Sequence, residues 1–503
     1  GGVPDLGFSL EDDQEVTEFP PTVDLINAIK VSGRTDKGLG LGFFNAITEN
    51  TYARVRDLGT GETSTLLIAP FSNFNVLVLD QRFGDDSSIS LVNTNVTREG
   101  SFRDANATGI YASIANKKNT IKYSLSGEGS WVLDHTTKFG AEAEAGVMKM
   151  SGKHRLDGRV ELRTKDYDID DMGYTGPTNY VRYMSYYGYR YLQPKGFLNN
   201  LFLNFNLIHE RRLEPDLYSN FIFNFNSSFT TTNYFNFGGG FETTPFGTQD
   251  FYEPRVDGQY FKIPTYYDVW LWFETDQRKR LSVETVVDWY KYDEKGRGEL
   301  IIEIRPTYRV SDKFNLSWSS NLVLSDKEEG FVSFRDGDII FGQRDRNTII
   351  NSLEAQYIFN NQMGLNLAFR HYFSDVSYDS FYDLQDNGEL TMNATIDNNY
   401  NTTYNSWNID LRYSWWFAPG SQVTLLYRNS IEGFLEASHQ DFSRNFDYLF
   451  EQPQLNSLSL RVSYYLDYNR MKTWFKRDAG QKERKAGGLI DRKDPRSLSS
   501  HFL

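Results

Sequence analysis

Six histidines, His135, His154, His209, His371, His439 and His501, are the side chains of this chain best suited to proton transfer or metal binding near neutral pH. They are widely scattered and show no ligand spacing of the His-Glu-x-x-His kind, and there is no Gly-x-Ser-x-Gly elbow or Walker loop. The one clustered set is Asp166, Asp168, Asp170 and Asp171. Clustered carboxylates are the oxygen ligands a hard cation takes. The run lacks a downstream Glu at calcium-loop spacing and has Met172 before Gly173, so a solvated acidic turn accounts for it better than a calcium site does. The chain therefore reads as no enzyme, with no catalytic residues, no cofactor and no assigned metal ligands; calcium at Asp166–Asp171 stays open.

What the sequence does repeat is a side-chain period of two. Phe221, Phe223 and Phe225 alternate with Asn224, Asn226 and Ser228; Leu203, Phe205 and Leu207 alternate with Asn204 and Asn206. Such alternation, continued from near residue 25 to residue 467, makes one very large two-faced sheet. From Arg155 to Lys165 the odd row is Arg155, Asp157, Arg159, Glu161, Arg163 and Lys165, against Leu156, Gly158, Val160 and Leu162. No soluble core accepts that odd row, whereas a water-filled lumen does.

Composition agrees. The 503 residues are 16% aromatic with 38 Phe and 32 Tyr, and the mean hydropathy of −0.55 comes with no apolar run near the roughly 20 residues of a membrane helix. These are the marks of an all-β chain forming a large transmembrane antiparallel up-and-down β-barrel. Trp131, Trp289, Trp407, Trp415, Tyr427 and Tyr464 are expected as interfacial girdles. The absence of cysteine fits an exported envelope protein, and the net charge of −14 opposes a nucleic-acid partner.

Short turns such as Thr35–Gly38 and Ala418–Ser421 alternate with longer outer loops such as Asp166–Asn179, Thr243–Lys262, Ser374–Tyr404 and Ile431–Asn456. The first strand, near Leu25–Arg34, and the last, near Leu458–Asp467, both descend toward the periplasm, which gives an odd count of about 21. Single-chain bacterial barrels use even numbers, so about 22 strands are expected, one of them ascending upstream of Gly1 unless the count is off by one. The expected organisation is an outer loop or partial plug at 1–24, a barrel at 25–467 and a basic periplasmic tail at 468–503.

Three stretches add a resemblance: Val31–Ala46 (VSGRTDKGLGLGFFNA), Leu162–Gly173 (LRTKDYDIDDMG) and Leu411–Thr424 (LRYSWWFAPGSQVT). They resemble the barrel domain of a family of Bacteroidota outer-membrane proteins of unknown function. In that family the barrel usually follows a periplasmic module similar to family 9 carbohydrate-binding domains. The resemblance implies a bacterial outer-membrane location and a modular protein. Two functions are expected. One is a scaffold or accessory subunit of a larger outer-membrane assembly, touching lipid and other outer-membrane or periplasmic proteins through loops, barrel wall or basic tail. The alternative is a plugged or gated channel for polymers such as glycans or peptides. The scaffold is preferred, because a free diffusion pore would show no docking tail.

Overall fold

The computed structural model describes residues 13–465 apart from 21, 397–398 and 438–441. Among these, one sheet curls into a barrel of 24 strands, three of which (Thr248–Asp250, Phe261–Ile263 and Leu390–Met392) are short outer-loop pieces. The other twenty-one form the wall, the number counted from the sequence. Each pairs antiparallel with its neighbour, from Leu25–Arg34 through to Gln454–Ser463. These two terminal strands point the same way, and no ladder between described residues joins them. The expected upstream strand, the tail from residue 468 and His439 and His501 lie outside the described residues.

The two faces separate as the alternation requires. Outward rows hold Leu207, Val269, Leu271, Val287, Trp289 and Leu411, all exposed, while the opposite rows carry the charges and amides. An exposed apolar row is stable only against hydrocarbon, and an unbroken succession of ladders from the first wall strand to the last leaves few backbone groups unpaired there. The wall therefore spans a membrane. No helix among the described residues is long and apolar enough to do so.

The outer side is more built up than the loops suggested. Gly298 pairs with Asp326, so the rest of Phe314–Arg335 runs beyond its neighbour; with Asp338–Asn360 and Met363–Leu384 it stands well above the hydrocarbon as a paired rampart. The expected Ser374–Tyr404 loop is strand at both ends, because residues up to Leu384 and from Thr402 find ladder partners. The expected Ile431–Asn456 loop contains the helix Phe442–Glu451. That helix lies on the outside of the wall, with Phe446 and Phe450 against Trp407 at 5.8 and 5.1 Å and the Asn445 carbonyl accepting from Asn405 Nδ2. Trp407, expected in a girdle, is thus partly covered by protein. Gln14–Glu18 joins Thr51–Asp57 and Thr63–Ala69 in a separate three-stranded sheet.

Facing predicts an asymmetry in cost. Leu271→Arg, on the lipid side, should cost roughly 2–4 kcal/mol of folding free energy into vesicles, while Asn226→Arg on the lumen side should cost far less. Reversible denaturant titration of the vesicle-inserted protein measures both, and equal costs would contradict the assigned faces.

Candidate functional site

The lumen wall is a lattice of matched charges and amides. On adjacent strands Arg163 bonds Glu142 at 2.5 Å, Arg182 bonds Glu210 at 2.6 Å, Arg305 bonds Glu284 at 3.1 Å and Arg428 bonds Asp410 at 2.7 Å. Each pair joins inward-facing positions of neighbouring strands, so the ladder register itself brings opposite charges together. The odd row read from Arg155 to Arg163 is part of this lattice.

Above the lattice, two loops fold over the outer mouth. Residues 164–179 pack onto the wall at Gly140, where a Cβ would come within 2.1 Å of the Tyr167 backbone nitrogen, so only glycine fits there. Ser130 Oγ accepts from the Asp168 amide at 3.0 Å. The acidic turn is brought together by arginine: Asp171 takes Arg98 at 2.7 Å and Arg103 at 2.5 Å, and Arg103 also reaches Asp168 at 3.2 Å. Asp170 accepts from the Thr175 amide, and Asp168 Oδ1 accepts from the Asp170 amide. Among the described residues no group of three or more His, Asp or Glu side chains is placed to hold a metal.

The second loop, 244–265, runs from this acidic turn to the rampart. At one end Asp257 bonds Lys165 and Arg212, each at 2.6 Å, and the Tyr252 hydroxyl donates to the Thr178 carbonyl at 2.8 Å. At the other end Glu253 accepts from the Phe331 amide at 2.8 Å, Phe261 packs on Phe341 at 4.8 Å, and Lys262 bonds Glu389 at 3.2 Å. The result is a roof tied to 165–178, to Arg212, to the rampart and to Glu389. Beneath its rampart end is a cavity of about 670 Å³ with Phe246, Phe261 and Tyr382 on its apolar side and Lys262, Glu329 and Glu389 on its polar side.

Electrostatics fix the roof. Hydrogen bonds from Lys165 and then Arg212 hold the Asp257 carboxyl below its ordinary 3.8. Glu329, beside Arg297 at 2.7 Å, is pushed above its ordinary 4.5 by burial, so it takes a proton earlier on acidification.

The described histidines do not converge. His154 meets Tyr187, His209 the Asn220 carbonyl, and His371 Asn405 at 2.8 Å. The roof was not legible beforehand, since nothing in the run 244–265 announces that its partners lie at Lys165, Arg212, Phe331 and Glu389; its length and its internal Asp and Glu were the only signal.

A family model described as a domain of unknown function, DUF5916, matches residues 1–475. The chain belongs to the DUF5916 family. No curated protein matches it. Among solved structures it is similar to the copper transporter OprC over 87% of this chain and 78% of that one, with 9% identity and a TM-score of 0.34. The DUF5916 match takes in the whole described barrel together with its roof.

Because the Asp257 pKa is depressed, its ties are complete above the ordinary carboxylate range and are lost as pH falls through the lowered value. Limited proteolysis within 244–265 should therefore be slow at pH 7 and speed up only below about pH 4. Asp257→Asn should bring fast cleavage to pH 7 with the barrel melt unchanged. Resistance of that variant at pH 7 would show that the ties do not hold the roof.

Proposed function

We propose that this chain is a roofed conduit of the bacterial outer membrane. A polar, charge-matched lumen runs through the barrel and is closed on the outer side by 164–179 and 244–265. The observation that carries this reading is the roof: a wall of twenty-one strands is too wide to be filled by its own side chains, and the segment that crosses its mouth is held on one side by ion pairs and hydrogen bonds and on the other by Phe261 packed with Ile339 and Phe341. The polar ties break and reform with modest free-energy change, which suits a gate that swings about its packed side.

A second reading, the scaffold, is favoured by a different patch. On the outward rows of Leu39–Thr48, Ser72–Phe83, Ser87–Arg98 and Asp104–Ala115, amides replace apolar residues toward the outer end: Asn45, Asn73, Asn75, Asn93, Asn95 and Asn106. They share faces with the exposed Phe43, Leu77 and Ile110. Asn45 Nδ2 donates to Asn73 at 2.6 Å and to Asn75 at 2.9 Å, and Asn93 to Asn106 at 3.2 Å. Hydrocarbon satisfies none of the remaining amide valences, whereas a neighbouring protein wall does. The two readings are compatible, since one concerns the lumen and the other the outside.

Planar-bilayer recording separates them. The intact protein should show little steady conductance, and deletion of 248–262 should raise it several-fold; a large steady conductance without the deletion, or silence with it, opposes the roofed conduit. For the scaffold, a protein partner should co-elute in mild detergent and be lost on Asn75→Leu/Asn93→Leu. A monodisperse lone barrel would count against it.

A further inference from the structure

The strand Asn236–Thr243 holds three consecutive glycines, 238 to 240, in the middle of a membrane wall. Glycine weakens a strand, and in its interior it marks a close approach by something else. Here that is tryptophan. A Cβ at Gly240 would come within 2.0 Å of the Trp270 ring, and one at Gly238 within 2.8 Å of Trp272 Nε1. Trp270 and Trp272 belong to the lumen-facing row of Tyr266–Glu274, whose other row, Val269, Leu271 and Phe273, faces outward. Two partly exposed indoles thus lie inside the barrel, laid across neighbouring glycines.

A row of amides runs up to them. Tyr186 donates to Asn204 at 2.8 Å, Asn204 to Asn226 at 2.7 Å, Asn206 to Asn224 at 3.0 Å, and Asn224 to Glu242 at 3.0 Å. Glu242 also accepts from the Tyr266 hydroxyl at 2.5 Å. Each amide NH2 has two donors, and each of these bonds takes one. The row borders a cavity of about 470 Å³ between Met148, Arg159, Tyr186, Asn206, Asn224 and Glu242. Nearby, the buried Asp268 carboxyl lies beside that of Asp288 on the adjacent strand, and among the described residues no other side chain donates to the Oδ1 of either. Buried acceptors without partners are costly unless something else donates to them.

From this surface we infer that the lumen binds a neutral oligosaccharide, the apolar face of a sugar ring lying on Trp270 or Trp272 and its hydroxyls donating to and accepting from the amide row, Glu242, Asp268 and Asp288. The chemistry excludes the competitors. An apolar ligand would strand the amides. A polyanion meets Glu242, Asp268 and Asp288, and a polycation meets Arg159 and Arg182 on the same wall. A ring with one apolar face and an edge of hydroxyls, each both donor and acceptor, matches every element. The inference deepens the conduit reading and rests on the lumen being reachable.

Calorimetry on the purified full chain in detergent tests it, with maltohexaose, cellohexaose and chitohexaose as probes and tetralysine and tetraglutamate as charged controls. At least one hexasaccharide should bind saturably, at least tenfold more weakly in Trp270→Ala/Trp272→Ala, and unchanged in Trp289→Ala, whose ring faces lipid. Asn206→Leu/Asn224→Leu, which keeps the indoles, should weaken it as well and serves if the tryptophan variant fails to fold. Binding of none of the three sugars, tighter binding of either peptide, or full binding by the lumen variants overturns the inference. Conductance after roof deletion without any sugar binding would sink this inference and leave the conduit standing.

Discussion

A hydrocarbon layer offers a peptide group nothing to hydrogen-bond with, and the structure is one answer to that constraint. Twenty ladders join twenty-one wall strands, so the backbone is satisfied sideways, strand to strand, along the whole sheet. Period-two side chains then have no choice of environment. Phe221, Phe223 and Phe225 go to lipid, and Asn224, Asn226 and Ser228 to water. A slip of one residue in any ladder would turn both sets to the wrong side, which is why register is so well specified here.

Closing so many strands creates a lumen, and a wide lumen creates the need for the lattice and the roof. Charges facing water across a ring of strands pair wherever register places opposite signs side by side, as at Arg163 with Glu142 and Arg428 with Asp410. The roof uses the same chemistry at the mouth, with Asp257 between Lys165 and Arg212. Toward the rampart the roof is held differently, by Phe261 buried against Ile339 and Phe341. The helix Phe442–Glu451 also uses apolar contacts, covering Trp407 on the outside with phenylalanines.

The wall was legible in the sequence and the site was not. Alternation within Phe221–Ser228 and Arg155–Lys165 reports which face is wet, and counting such runs gave the number of wall strands and the bounds of Leu25–Arg34. The strand extensions in Phe314–Arg335 and Met363–Leu384 were missed because outer residues such as Glu328, Ser377 and Asp379 are polar on both faces and look like loop. Trp270 and Trp272 alternate with Val269 and Leu271 and so could be placed on the lumen side, but their seat on Gly238 and Gly240 depends on the ladder between two strands that a long loop separates. Contacts between distant segments, such as Glu253 with Phe331, leave no mark on local pattern at all.

The chain contains no cysteine, so each introduced thiol reports one site without interference. Single cysteines from Phe221 to Ser228 in the vesicle-inserted protein, probed in parallel with a membrane-impermeant maleimide and a lipid-soluble nitroxide quencher, test the two-faced wall directly. Labelling at 222, 224, 226 and 228 with quenching at 221, 223 and 225 is the predicted result. Uniform quenching or uniform labelling along the strand would contradict a wall with lipid on one face and a wet lumen on the other.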